Sequence, residues 1–273
     1  RAIAASLLVA AGALKLEESR ASESGASCQC LQFSEVYKRG DAECGMGLEL
    51  FRLAMGPEQL LQPGKDFARD CSPSIEGLKD VGSVWQHIQQ SGKCSWRQLL
   101  KFDFEDCSSF PGIPNSSFYQ HQRHNRCIKA SQYASPGNFM HQTSWCYVSA
   151  QCADLNGGAK INDRVAFKTC VEGKDQFLGD LSPHELCDLQ NTIKPQGRFL
   201  GGCQLAAYKA YDMGAGKWET DMVVAKPPAR TTYWRDHDKD TAVVQFGREV
   251  YGIFGDLRGG TDHKCFAGCD NTK

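Results

Sequence analysis

The chain has 273 residues, with 31 lysines and arginines against 32 aspartates and glutamates, so its net charge is close to zero. Apolar residues make up 41% and charged residues 23% of the sequence, which indicates a folded protein and argues against a disordered chain or a polytopic membrane protein. The sequence has no basic, aromatic-rich stretch typical of nucleic-acid surfaces, and no phosphate-binding loop, dinucleotide fingerprint or zinc-protease motif.

An apolar segment, residues 1–15, opens the chain. Residues 2–14 carry no charge, and a helix of that length would span only about 20 Å of a hydrocarbon core roughly 30 Å thick. The run ends in Ala-Gly-Ala and is similar to the thylakoid-transfer signals of lumenal proteins. We expect either the remnant of a cleaved signal or a retained helix. The retained helix would dock on a partner through Ile3, Leu7, Leu8 and Val9.

Fourteen cysteines follow the polar linker at residues 16–27. They form no Cys-x2-Cys knuckles of the kind that grip zinc, so we predict up to seven disulfides and an oxidising compartment. A metal cluster of His263, Cys265 and Cys269 is the alternative near the end of the chain. Spacing alone assigns no partners. The candidate disulfide cysteines are Cys28, Cys30, Cys44, Cys71, Cys94, Cys107, Cys127, Cys146, Cys152, Cys170, Cys187, Cys203, Cys265 and Cys269.

Short helices are expected in the N-terminal two thirds of the chain. Residues 58–61 follow a Gly-Pro pair, residues 77–88 have apolar side chains at helical spacing, and residues 94–100 are amphipathic. Ser182-Pro183-His184-Glu185 is a capping box with proline at the first helical position, so it predicts a helix through Leu189.

The densest motif is the segment from residue 144 to residue 158. Trp145 and Tyr147 flank Cys146, and Asn156-Gly157-Gly158 predicts a turn before a strand at residues 165–170. We interpret the segment as a disulfide-pinned turn whose aromatic side chains cover the disulfide and pack against it in the core. A sugar-binding platform on Trp145 and Tyr147 is the alternative.

The C-terminal third has a different pattern. Residues 206–211 favour a helix, and residues 221–225, 241–246 and 249–254 favour strands. The predicted fold is therefore α+β, loop-rich and disulfide-stapled, with a cysteine-rich domain at 28–200 and a small β-rich unit at 201–273.

Three patterns suggest chemistry and have simpler explanations. His121 and His124 could share a helix face, but we interpret them as ordinary surface histidines. Asp236 begins a calcium-loop-like run that has Thr and Gly where the loop needs Gly and Glu, which favours a solvated turn. Residues 242–256 resemble the strands and Gly-Asp turn of chitosanase-type hydrolases, but no glutamate follows Asp256, so no hydrolase activity is expected.

Three further cysteine-containing segments belong with the motif at 144–158: residues 28–37 (Cys-x-Cys-Leu-x-Phe-x-Glu-Val-Tyr), 43–45 (Glu-Cys-Gly) and 125–130 (Asn-Arg-Cys-Ile-Lys-Ala). They resemble a cysteine-rich family abundant in dinoflagellate algae, over roughly residues 28–190. With the thylakoid-like N-terminus, the resemblance implies a non-catalytic structural subunit in the chloroplast thylakoid lumen, peripheral to the membrane and associated with photosystem I and its antenna. It implies no intrinsic cofactor or metal, only peripheral contact with a partner's chlorophyll or carotenoid. The alternative is a secreted, extracellular cysteine-rich binding protein or a degenerate glycosidase-like protein that binds carbohydrate.

Overall fold

The computed structural model describes residues 27–49, 80–90, 107, 118–130, 143–193, 202–214, 217–221, 228, 230–236, 241–255 and 261–269. Short helices combine with two sheets and several disulfides, which confirms the predicted α+β, disulfide-stapled class. Several predictions lie outside the described residues: the apolar segment with its docking residues Ile3, Leu7, Leu8 and Val9, nearly all of the linker, the helices at 58–61 and 94–100, Cys71, Cys94 and Asp256.

The described helices are α1 (Phe33–Lys38), α2 (Val81–Gln90), α3 (Phe118–His121), α4 (Pro183–Asn191), α5 (Gly202–Ala210) and α6 (Trp218–Asp221). Helix α4 confirms the capping box, because the Ser182 hydroxyl accepts from the Glu185 N–H and the Glu185 carboxylate accepts from the Ser182 N–H. Helices α2 and α5 confirm the predictions at 77–88 and 206–211. Residue 221 ends helix α6 and does not begin the strand predicted at 221–225, whose other four residues lie outside the described ranges. In helix α6 the Trp218 ring packs 6.1 Å from that of Phe266.

The first sheet consists of β1 (Ile128–Lys129), β2 (Ser144–Ser149), β3 (Ala159–Lys160) and β4 (Val165–Thr169), in the antiparallel order β1-β2-β4-β3. Successive side chains of a strand point to opposite faces. Trp145 and Tyr147 therefore enter the main core, whereas Cys146 and Val148 enter a second, smaller core on the other face.

The predicted turn before β4 is present. Asn156 and Gly157 both have positive φ angles, of 46° and 78°. At Gly158 a Cβ atom would overlap the carbonyl oxygen of Phe167 and lie 2.7 Å from the Cα of Lys168. Only glycine fits this close approach of the turn to strand β4.

The second sheet contains β5 (Asp212–Met213), β6 (Thr232–Asp236), β7 (Thr241–Phe246), β8 (Glu249–Gly255) and β9 (Thr261–Ala267) in sequence order. Strands β5 and β6 are parallel, and the other neighbours are antiparallel. Strands β7 and β8 confirm the predictions at 241–246 and 249–254. The C-terminal third is therefore rich in strands, as expected.

Helix α5 lies between the two sheets. Its small residues Ala206, Ala207 and Ala210 are buried, and the helix contacts β1, the 3₁₀ turn at Leu178–Asp180, helix α4 and strands β7, β8 and β9. Alanine side chains let neighbouring backbones approach closely from several sides. One core cluster consequently runs from Phe33 through α5 to Ile253, across the sequence boundary predicted near residue 200.

All twelve cysteines of the described ranges are in disulfides: Cys28–Cys152, Cys30–Cys146, Cys44–Cys107, Cys127–Cys170, Cys187–Cys203 and Cys265–Cys269. This confirms the disulfide prediction for those residues. The alternative, a metal cluster of His263, Cys265 and Cys269, is wrong for the oxidised protein, because Cys265 and Cys269 form a disulfide with each other. His263 instead contacts His184, with 2.7 Å between Nε2 and Nδ1.

Candidate functional site

Two disulfides of the smaller core pack side by side. The sulfur atoms of Cys30, Cys127, Cys146 and Cys170, here called the sulfur cluster, all lie within 4.8 Å of one another. The non-bonded sulfurs of Cys30 and Cys127 are only 3.6 Å apart. Cys127 and Cys146 are buried, whereas Cys30 and Cys170 are partly exposed. Four segments that are distant in sequence thus bring their sulfur atoms to one point.

Backbone hydrogen bonds hold these four segments independently of the sulfur–sulfur bonds. Cys146 lies inside β2, and the Cys170 N–H donates to the Ser144 carbonyl over 2.9 Å. The Cys127 N–H donates to the Gln176 carbonyl, and the Leu31 N–H next to Cys30 donates to the Tyr147 carbonyl, both over 2.8 Å. The sheet therefore positions all four cysteine backbones.

A cleft with charged walls lies beside the sulfur cluster. It has a volume of about 390 Å³, and Cys170 lines it together with residues of β1, β5 and the segment between β4 and α4. Lys129 pairs with Asp212 at its wall, and this lysine side chain is only 6% exposed. Arg230 pairs with Glu172, and both of these side chains are exposed. The cleft is called the charged cleft below.

The carboxylates of the charged cleft have partners within it. Asp175 accepts from the Lys168 ammonium over 2.7 Å and from the Val171 N–H over 2.9 Å. Asp180 accepts from the Phe177 N–H over 2.8 Å, at the start of the 3₁₀ turn. Charge-assisted hydrogen bonds of this kind fix side-chain positions. The cleft therefore has a polar lining of fixed charged groups, of which the Arg230–Glu172 pair is exposed.

A buried carboxyl group lies on the other face of the first sheet. Glu49 accepts hydrogen bonds from the hydroxyls of Tyr37 and Tyr147 and from the Gly47 N–H, and none of its surface is exposed. Desolvation by burial raises the pKa of Glu49, although these hydrogen bonds act in the opposite direction. Burial also raises the pKa values of both tyrosines well above their ordinary range, with Glu49 as a further cause.

His124 is also buried, so its prediction as a surface histidine is wrong. Its Nδ1 accepts from the Arg126 N–H, which leaves Nε2 to donate to the Gln122 side chain over 3.0 Å. Desolvation by burial, with a smaller effect from the charge of Arg126, lowers the pKa of His124 to about 4. The Phe33 ring packs edge-on against the His124 ring, with 6.3 Å between the ring centroids, on the side where solvent was expected.

Trp145 and Tyr147 do not form a sugar platform, because both are completely buried. They pack at a ring-centroid distance of 5.1 Å and contact Phe33 at 5.2 and 5.5 Å. Their burial in the core is therefore confirmed, but the Cys146 disulfide lies on the opposite face of β2 and is not what they pack against. The alternation of β2 explains it, since both side chains fall on the face that points into the main core.

Exposed aromatic side chains lie elsewhere, on the second sheet. Phe254 and Phe266 are 46% and 47% exposed, and both flank Gly252, where a Cβ atom would lie 2.9 Å from Phe254 and 3.7 Å from Phe266. Trp218 extends this group through its contact with Phe266. We call these three residues the aromatic patch.

Sequence reasoning found the cysteines but neither the sulfur cluster nor the buried Glu49. The alternation of β2 could have separated Cys146 from Trp145 and Tyr147, but no local pattern brings Cys30, Cys127 and Cys170 to the same face. The charged cleft likewise combines residues from both sheets. One of its ion pairs joins Lys129 to Asp212, which are far apart in the sequence. No rule of local sequence spacing predicts such a pair.

Comparison with protein-family models, curated proteins and solved structures finds no match for this chain. Within the described ranges, no helix combines the length and apolar character needed to cross a bilayer.

Proposed function

We propose that the chain is a non-catalytic structural or interaction subunit of a photosynthetic membrane complex, located on the lumenal side of the thylakoid. The partner is photosystem I with its antenna, and residues 1–15 provide the docking helix. The observation that carries the proposal is the set of six disulfides, which suits a lumen and not the cytosol.

The charged cleft supports a binding role over a catalytic one. Glycoside hydrolysis needs one carboxylic acid that donates a proton and one carboxylate that activates water or attacks the sugar. Here Asp175, Asp212 and Glu172 each contact a cation, and Asp180 contacts a backbone N–H. These pairings give each carboxylate a partner within the protein and fix the shape of a polar recess.

The choice of partner comes from the sequence resemblance and the N-terminal segment. The apolar side chains Ile3, Leu7, Leu8 and Val9 would each contribute about 1.5–3 kcal/mol when buried against a partner. Several of them together could hold the disulfide-rich body at the lumenal surface after the costs of association.

The test is the location and association of the chain in cells that express it. In intact thylakoids the chain should resist added protease, and in native gels it should migrate with photosystem I and its antenna. Replacement of Ile3, Leu7 and Leu8 by serine should release it from the complex. The matched control replaces the linker residues Glu17 and Glu18 by glutamine and should stay bound. Recovery of the unaltered chain in the culture medium, or association that survives the serine variant, would contradict the proposal.

The aromatic patch favours a second candidate, a secreted carbohydrate-binding protein. Exposed aromatic rings on a sheet can stack on the apolar faces of sugar rings, and Phe254, Phe266 and Trp218 lie together. Calorimetric titration with chitin and chitosan oligomers tests this function. The control is Tyr251→Phe, three residues earlier on the same strand and therefore on its opposite face. Binding that Phe254→Ala abolishes and Tyr251→Phe retains would favour this candidate over the first.

A further inference from the structure

The sulfur cluster has the ligand number and spacing of a tetrathiolate metal site. We propose that Cys30, Cys127, Cys146 and Cys170, once reduced, bind one zinc-type divalent ion. This inference does not depend on the proposed function. In the oxidised protein the same four residues form two disulfides, so the cluster has an oxidised, metal-free form and a reduced, metal-bound form.

The geometry is close to that of a tetrahedral site. Zinc–sulfur bonds of about 2.3 Å give sulfur–sulfur edges of about 3.8 Å around the ion. The Cys30 and Cys127 sulfurs are already 3.6 Å apart, and every pair in the cluster lies within 4.8 Å. After reduction, side-chain rotations have to open the two bonded pairs to that edge length and to close any wider pair by no more than about 1 Å.

The scaffold should survive the loss of the two bonds. The four cysteine backbones are held by β2 and by the backbone hydrogen bonds at Cys127, Cys170 and Leu31. Preorganised ligand positions reduce the conformational entropy that metal binding has to overcome. Soft thiolate ligands favour zinc over calcium or magnesium, which prefer oxygen.

Solvent can reach the cluster from the charged cleft. Cys170 lines this cleft and is partly exposed, as is Cys30, whereas Cys127 and Cys146 are buried. A thiolate of a small reductant can therefore attack the Cys170 sulfur. The sulfur atoms of Cys127 and Cys146 are shielded in the oxidised protein.

The chemistry balances with a dithiol as the reductant. Two dithiol molecules reduce the two protein disulfides by thiol–disulfide exchange, become two cyclic disulfides, and leave four cysteine thiols. Binding of one Zn²⁺ then forms four sulfur–metal bonds and releases four protons, so metal affinity should increase with pH.

The experiment uses the full chain, reduced with dithiothreitol, freed of reductant without oxygen, and titrated with Co²⁺ and then Zn²⁺. Tight binding at the sulfur cluster should give the visible absorption of tetrahedral cobalt thiolate, which one equivalent of Zn²⁺ removes. One variant replaces Cys127 and Cys170 by alanine, and a second replaces Cys30 and Cys146. Each should weaken metal binding at least about a hundredfold, because loss of a residue that only supports a ligand already weakens it by about 10- to 100-fold. The matched control replaces Cys187 and Cys203, a buried disulfide between α4 and α5, and should bind normally.

A second measurement needs no variant. In the zinc-loaded, reduced chain, iodoacetamide should alkylate Cys30, Cys127, Cys146 and Cys170 much more slowly than in the reduced, metal-free chain, as read by mass spectrometry. The other cysteines should react at the same rate in both. This map decides the question if the alanine variants do not fold. Protection of a different set of cysteines, equal affinity in the cluster variants, or no tight binding by the reduced chain would each overturn the proposal.

Discussion

The hydroxyl oxygen of Tyr37 lies 2.6 Å from a carboxylate oxygen of Glu49 in the interior of the protein, and Tyr147 donates to the same oxygen. Two phenols and the Gly47 N–H therefore replace water around a carboxyl group that has no exposed surface. The interaction connects the loop after α1 to β2, so it holds the N-terminal segment against the first sheet.

Glu49→Gln should flatten the dependence of stability on pH. Because burial raises the pKa of Glu49 above its ordinary value of 4.5, the folded protein retains this proton to a higher pH than the unfolded chain. The associated stability is complete below the unfolded pKa and is lost as the pH rises through the folded pKa. The variant has no such proton, so its free energy of unfolding should fall less as the pH rises above the ordinary pKa of 4.5.

Urea unfolding of the oxidised protein at several pH values measures this effect. Glutamine cannot accept from the Gly47 N–H with its amide nitrogen, so a pH-independent loss of about 1–3 kcal/mol should accompany the flatter profile. The control is Glu35→Gln, which makes the same chemical change at an exposed side chain of α1. A steeper profile in Glu49→Gln would contradict the assignment.

His124→Asn should reduce the sensitivity of the protein to acid. The pKa of His124 is lowered to about 4 from 6.5, so the unfolded chain binds a proton that the folded protein rejects. This group's stability is present above the unfolded pKa and is lost as the pH falls toward the folded pKa, by roughly 3 kcal/mol over that window. Asparagine can still accept from the Arg126 N–H. The control is His121→Asn, three residues earlier, because it removes a histidine side chain that is only partly buried.

The disulfides Cys28–Cys152 and Cys30–Cys146 should stabilise the protein redundantly. They run side by side: Cys28 and Cys30 are two positions apart in the sequence, and their partners Cys152 and Cys146 are six positions apart. Either bridge alone already closes the loop of more than a hundred residues between its two cysteines. The second bridge then closes only a short ring formed by residues 28–30 and 146–152. Alanine replacement of one pair should cost roughly 2–3 kcal/mol, and replacement of both should exceed the sum by about 2 kcal/mol. Urea unfolding of the three variants gives the coupling, and simple additivity would rule out this model.

Gly158→Ala should prevent the native packing of the turn before β4. The new Cβ would overlap backbone atoms of β4, which cannot move without breaking the sheet. We expect a loss above about 4 kcal/mol, seen as a collapse of the thermal transition. Gly173→Ala is the control, because its φ of 78° is also positive but nothing lies within 4 Å of a Cβ there, so its cost should be only about 1–2 kcal/mol.

Elements encoded by neighbouring residues could be predicted from the sequence. The capping box at Ser182, the helix around Ala206, the Asn-Gly-Gly turn and strands β7 and β8 all follow from local rules. Features that depend on tertiary contacts could not be predicted. The burial of His124, the helix at Trp218 and the convergence of Cys30 with Cys127 arise from partners far away in the sequence, which periodicity does not report.

The order in which the cysteines occur along the chain differs from the order in which they pair. Cys28 and Cys30 precede their partners by 124 and 116 residues. A chain that crosses a membrane with its N-terminus first therefore exposes these two thiols to oxidants and to each other long before Cys146 and Cys152 emerge. Oxidation in order of emergence gives non-native pairs, and thiol–disulfide exchange has to correct them. Efficient production of this protein consequently requires a disulfide isomerase or a glutathione buffer, and a strong oxidant alone would trap it in the wrong connectivity.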